Sequence, residues 1–212
     1  MQPASANNQD RYRTMGPQLI LASASPRRRE LLAAGGFRFE VVPSNVVEIS
    51  RPGERPEAFA QRVAREKAGD VARHCPGACI LAADTVVVVD DVMFGKPTDR
   101  DDARRMLRAL SGRTHRVLTA VAVMDRDGAV DELLVESHVE FCQLTTDEIE
   151  GYLDSGEPFD KAGAYAVQGL AKAFVVAVRG SYSNVVGPPM EEVTVLLRRH
   201  LPSAAATTPP TP

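Results

Sequence analysis

Hydrophobic and polar positions change period repeatedly along this chain, and each change marks an element. Leu19-Ile20-Leu21 is a short apolar run, read as a buried strand, and it gives way to a serine turn. Ser25 suits a helix N-cap and Pro26 the first helical position, where no N–H is needed. That helix stops at Gly35-Gly36. Phe37 to Val42 alternates as a second strand, and Pro43 to Pro56 is a polar loop. From Pro56 to Arg73, Ala60, Val63, Ala64, Ala68 and Val71 fall on one helical stripe. Cys79 to Val89 is almost wholly apolar and β-branched, which predicts a strand buried on both faces. Asp90-Asp91 turns it into a short partner, Val92 to Phe94, and Thr98 to Leu110 is helical again. Thr114 to Met124 and Ala129 to Cys142 flank Asp125-Arg126-Asp127-Gly128 as a long antiparallel hairpin. Thr145-Thr146-Asp147-Glu148 is a capping box that opens a helix through Leu153. Phe174 to Val178 is a further strand, and Met190 to Arg199 a closing helix. Strands alternating with helices, plus the hairpin, predict an α/β fold with a mixed central sheet and flanking helices.

The patterned part is bounded by polar or Pro/Ala/Thr-rich ends. Residues 1–17 and 201–212 read as tails, leaving 18–200 as a single domain. The composition is 44% apolar, enough for a core, and the net charge of −3 argues against a general nucleic-acid binder. No run has the length of a membrane span, and the N-terminus lacks a signal-peptide core. Cys75, Cys79 and Cys142 are odd in number and share no zinc-ligand spacing, so a reduced, cytoplasmic setting is expected, with these residues acting as small hydrophobes.

Some polar residues stand where the pattern asks for apolar ones. Asp84 interrupts the run Ile80 to Val89, and an unpaired carboxylate there would cost several kcal/mol. It must meet a cation, a metal or a cleft, either as a structural ion pair or as part of a site. Lys67 lies at about −20° from Ala60 on the helical wheel, in the centre of the apolar stripe. It either snorkels to water or points into a cleft as a phosphate-binding ammonium. Arg27, Arg28 and Arg29 crowd the first turn of a helix, an end whose macrodipole disfavours cations unless an anion sits among them. Guanidinium groups pair with phosphate, so a phosphate chain is the natural anion. Lys96 follows Gly95 in a rigid turn, and the stretch Asp160 to Gly169 combines charge, small residues and the amide of Gln168, which can pair with a base edge. Taken together, arginines at a helix start, several lysines and one or two carboxylates suit metal-assisted phosphoryl or nucleotidyl chemistry. No Walker loop and no nucleophile with a partnered histidine is present in the sequence.

These residues fall into an ordered set of motifs: Ser23-Ala24-Ser25-Pro26-Arg27-Arg28, Arg65-Glu66-Lys67-Ala68, Ala83-Asp84-Thr85, Gly95-Lys96-Pro97, Leu110-Ser111-Gly112, Asp160-Lys161-Ala162-Gly163-Ala164-Tyr165, Gln168-Gly169 and Gly180-Ser181-Tyr182. In this set the chain resembles the Maf family of nucleotide pyrophosphatases, once described as septum-formation inhibitors, from about Leu19 to Leu197. The resemblance implies two lobes around a deep cleft, a homodimer, and hydrolysis of a nucleoside triphosphate to the monophosphate and pyrophosphate. It implies Asp84 as proton acceptor or metal holder, Glu48 as its acidic partner, and a divalent cation (Mg²⁺, Mn²⁺ or Co²⁺) on the two. Ser23, Arg28, Lys67, Lys96 and Lys161 would neutralise the phosphates. Arg27, Thr85 and Gln168 match the subgroup that acts on dTTP and UTP, in which they read the base; CTP and modified pyrimidine nucleotides are further candidates. The 7-methyl-GTP subgroup has Trp, Gln and Glu at those places. Many relatives carry an acid where this chain has Val47, which bears on metal affinity or count. Two rivals stand beside this reading: an inosine or xanthosine triphosphate-type pyrophosphatase, and a nucleotide-binding regulator of cell division without turnover.

Overall fold

The structure, a computed structural model, describes residues 19–201. The expected tails lie outside those residues, except that Leu201, which composition groups with the C-terminal tail, is buried beside Leu196 and Leu197. Strands β1 (Leu19–Leu21), β2 (Phe39–Val41), β3 (Cys79–Val89), β4 (Val92–Phe94), β5 (Thr114–Met124), β6 (Val130–Phe141) and β7 (Val175–Arg179) form one mixed sheet. Its order is β2-β1-β3-β5-β6-β7, with β4 also on β3. The two pairings of β1 are parallel and all others antiparallel. Helices α1 (Pro26–Ala34), α2 (Pro56–Ala72), α3 (Arg100–Leu110), α4 (Thr146–Asp154), α5 (Tyr182–Val186) and α6 (Met190–His200) complete the described chain.

The period-2 rule divides β3 between two faces. Ile80, Ala82, Val86 and Val88 pack against Ala60, Val63, Ala64 and Ala68 of α2. On the other face, Cys79, Leu81 and Ala83 meet Leu32 of α1 and Val193 and Leu197 of α6. Farther along that face, Val87 and Val89 join Leu107 and Leu110 of α3 and Leu153 of α4. Leucines such as Leu32, Leu81 and Leu107 are fully buried, each contributing about 1.5–3 kcal/mol of transfer free energy.

One edge of β3 creates the site. β5 covers its other edge from Ile80 to Val88. On the near edge β1 reaches only Leu81, and β4 begins pairing at Val87. Between them Ala82 to Val86 has no strand partner, and the sheet opens there to a cleft reaching both faces. The cleft implied by the resemblance is thus present; the sheet is continuous from β2 to β7, and no boundary between two lobes is marked in it.

Local differences from the sequence reading have local causes. α3 starts at Arg100 rather than Thr98 because the Asp99 carboxylate caps it, accepting from the Asp102 N–H at 2.8 Å. The short 3₁₀ segments Glu157–Asp160, Ala162–Ala164 and Leu170–Phe174, and α5, are too brief to show a period. Gly163 sits at φ +68°, and a Cβ there would lie 2.9 Å from Val87.

Candidate active site

The cleft has a volume of about 660 Å³, and all ten candidate residues of the sequence line it. Its base is the unpaired stretch of β3. Arg28, in the first turn of α1, lies across that stretch: Nη1 donates to the Ala83 carbonyl at 2.6 Å and Nη2 to Thr85 Oγ1 at 3.1 Å. The guanidinium therefore satisfies a backbone acceptor that a strand would otherwise take. Nη1 also reaches Ser23 Oγ at 3.5 Å. Burial pulls the Arg28 guanidinium below its ordinary value, while Asp84 and Glu48 work in the opposite sense. Ser25 occupies the N-cap as expected, but its side chain makes no capping bond; instead Ser23 Oγ accepts the Ser25 N–H at 3.2 Å. The α1 N-terminus, whose residues Ser25 to Arg28 line the cleft, is consequently left without a side-chain cap.

On the α2 face, Lys67 and Asp84 explain each other. Lys67 is 7% and Asp84 3% exposed, so the lysine does not snorkel to the outer surface. Its Nζ donates to Asp84 Oδ1 at 2.7 Å and pairs with Glu48 Oε1 at 2.6 Å. Asp84 Oδ2 is buried with no hydrogen-bond partner. Burial raises the Asp84 carboxyl above its ordinary value and Glu48 adds to this, against the pull of Lys67 and Arg28. Glu48 comes from the loop between β2 and α2. That loop is braced by Arg62, whose Nη2 donates to the Ile49 carbonyl at 3.0 Å, and by Asp70, which accepts the Asn45 N–H at 2.9 Å.

The opposite wall carries the remaining cations and the amide. Arg27 lies 3.8 Å from the Asp160 carboxylate. Lys161 donates to the Glu157 carbonyl at 2.6 Å and also pairs with Asp160. Lys96 and Gln168 are exposed on the cleft surface. Thr85 is tied back into the core: its hydroxyl meets Thr119 Oγ1 at 2.9 Å, and Thr119 donates to the carbonyls of Asn184 and Gly187 at 3.2 and 3.3 Å.

Sequence reading missed this support. Thr119 carries the same signal as Asp84, a polar residue within a buried strand, and is fully buried. Tyr165 lines the cleft, and its hydroxyl meets His115 Nε2 at 2.8 Å inside a cluster with Phe141. Burial lowers His115 to about 4, so it is neutral near pH 7. Cys75, Cys79 and Cys142 are free thiols, and burial pushes Cys79 up to about 12, in line with their reading as small hydrophobes. Among the described residues no group of three His, Cys, Asp or Glu side chains is gathered to hold a metal, and no helix is long and apolar enough to cross a membrane.

The cleft thus combines a buried carboxylate with one oxygen free and a lining rich in cations. The profile of the family described as Maf-like protein matches residues 18–200, and this chain belongs to the Maf family. A protein of Anaeromyxobacter dehalogenans named dTTP/UTP pyrophosphatase is 54% identical, over 87% of this chain and 95% of its own. Proteins of the same name from Myxococcus xanthus and Pseudoalteromonas atlantica are 50% and 47% identical, each over 85% of this chain and over 91% and 96% of their own. Among solved structures, a HAM1 protein from Coxiella burnetii covers 86% of this chain and 99% of its own with a TM-score of 0.47 at 16% identity, a likeness too distant to bear on chemistry.

Proposed function

We propose that this protein is a nucleoside triphosphate pyrophosphatase that hydrolyses dTTP and UTP to the monophosphate and pyrophosphate. The relatives of that name, half identical over nearly the whole chain, support the substrate class. The observation that carries the chemistry is the unpartnered, buried Oδ2 of Asp84, in a cleft also lined by Arg27, Arg28, Lys67, Lys96 and Lys161.

In this reading water attacks the α-phosphorus. Asp84 accepts its proton through Oδ2 while Lys67 holds Oδ1, and the bond to the bridging oxygen breaks to release pyrophosphate. The raised Asp84 carboxyl makes it a better base than an exposed aspartate. Arg28, Lys96, Lys161 and Ser23 carry the phosphate charge, which grows on the leaving group. Arg27, Thr85 and Gln168 face the base; Thr85 is fixed for that task by Arg28 and Thr119.

Glu48 and Asp84 suit a divalent cation (Mg²⁺, Mn²⁺ or Co²⁺). Both offer hard oxygen donors, one ammonium already bridges them, and magnesium is commonly held by one or two carboxylates plus substrate phosphates. Bound there, the cation neutralises phosphate charge and lowers the pKa of a water. We further assign the protein to the cytoplasm as a homodimer; light scattering would test the latter, a monomer mass contradicting it.

The position of attack is tested by turnover of dTTP in ¹⁸O-labelled water. Label in the monophosphate is expected; label in pyrophosphate would place the attack on the β-phosphorus and remove Asp84 from its role as proton acceptor at the α-phosphorus.

A further inference from the structure

The segments that carry Lys161 and Gln168 meet at one residue that lies outside the phosphate- and base-facing set. Glu157 begins the 3₁₀ segment that leads into Asp160 and Lys161. Its Oε1 accepts the Tyr152 hydroxyl at 2.9 Å, and its Oε2 accepts the Leu170 N–H at 3.0 Å, thirteen residues away. Its main-chain carbonyl accepts Lys161 Nζ at 2.6 Å. Burial and this carboxylate raise the Tyr152 phenol, so it remains a donor. The carboxylate also lies against Gly169: a Cβ on that residue would overlap Oε1 and Cδ. A flexible glutamate could ordinarily swing away, but here moving it breaks both hydrogen bonds. Glycine at 169 is therefore required by a close approach, because its φ of −93° is open to any residue.

We propose that Glu157 is a positioning residue: through its carboxylate on Leu170 N–H and its carbonyl on Lys161 Nζ it holds the phosphate-binding lysine and the base-facing Gln168 at a fixed separation. The proposal rests on the pyrophosphatase reading above. Gln168 itself is exposed, so its placement comes from the backbone on either side. That backbone is fixed by the Gly169 N–H on the Ala166 carbonyl at 3.0 Å and by Glu157 on the next residue. Releasing Glu157 leaves every group that touches substrate in the chain but frees their relative position, and misplacement of about 1 Å can cost up to about 100-fold.

The test is steady-state pyrophosphate release from dTTP, UTP and CTP by the full chain and by E157A, E157Q, G169A and the double variant E157A/G169A, with thermal melts of each. E157A is expected to raise KM for dTTP and narrow the preference for dTTP over CTP, each about tenfold, with a smaller change in kcat. E157Q, which keeps an acceptor for Tyr152 or Leu170, is expected to recover part of the loss. G169A should match E157A, and the double variant should be no worse than E157A, because the added methyl then meets no carboxylate. Losses that multiply in the double variant would overturn the proposal, as would E157A and G169A with wild-type selectivity and KM. Should E157A not fold, E157Q and G169A decide the same question. A wild-type protein that releases no pyrophosphate from dTTP or UTP would overturn the underlying reading, and this proposal with it; wild-type turnover with unaltered variants overturns the proposal alone.

Discussion

Two groups of ion pairs in this molecule use the same chemistry to opposite ends. Between α3 and α4, Arg100 Nη2 lies 2.8 Å from Glu150 Oε2 and 2.8 Å from Asp154. Arg104 adds Glu150 Oε2 at 3.0 Å, as well as Glu150 Oε1 and Asp101. Both oxygens of Glu150 are taken, and hydrogen bonds from Arg104 and Arg100 lower its carboxyl to about 2. On the cleft floor one lysine serves two carboxylates, one oxygen of Asp84 has no partner, and burial moves its carboxyl the other way. A satisfied, hydrated cluster ties helices together. A desolvated and incomplete one has capacity left for a substrate, and strongly perturbed groups of that kind gather at reactive sites.

The comparison breaks most sharply at Asp84. Asp84→Asn keeps shape and removes the proposed proton acceptor, and kcat is expected to fall by roughly 10²- to 10⁴-fold with the fold intact. Collapse of the near-ultraviolet circular dichroism of this variant would show a structural pair and not a site. A second effect lies behind the cleft wall. The His115 imidazole titrates near 4 when folded against an ordinary 6.5. Between those values the unfolded chain binds a proton that the folded chain lacks. Stability should therefore fall as pH drops from 6.5 toward 4, by up to about 3 kcal/mol from this residue. Denaturant melts across that range check it, and His115→Gln, which can still meet Tyr165, should flatten the slope.

Smaller effects sharpen the contrast. Gln168→Glu places a carboxylate where the proposed function sets an amide against the base, and KM for dTTP and UTP is expected to rise about tenfold with the melting temperature unchanged. Unaltered selectivity would take Gln168 out of base reading. Arg104→Ala, in the hydrated cluster, should leave turnover untouched and lower the melting midpoint by no more than about 4 °C. A loss of turnover there would join the two regions that the structure keeps apart.

What was legible in the sequence follows from how strongly a residue breaks a pattern. Asp84 stands out because β3 is otherwise apolar, and Lys67 because it occupies the centre of the α2 stripe; each is found where buried charge demands a partner. Glu48 has no such mark, since the loop from Val42 to Arg55 has no period and its approach to Lys67 is set by tertiary bracing through Arg62 and Asp70. Only the family resemblance points to it. Glu157 is invisible for the same reason, its partner Leu170 being brought near by three short 3₁₀ segments. The mixed sheet was readable from alternating strands and helices, whereas the unpaired stretch of β3 depends on where β1 stops and β4 begins pairing.

The most direct measurement is pyrophosphate release by the purified protein from dTTP, UTP, CTP, GTP, 7-methyl-GTP and ITP, with Mg²⁺, Mn²⁺ and Co²⁺ in turn. Release confined chiefly to dTTP and UTP, with the monophosphate as second product, is the predicted result. Preference for ITP, or no release from any nucleotide by folded protein that binds them, would contradict it.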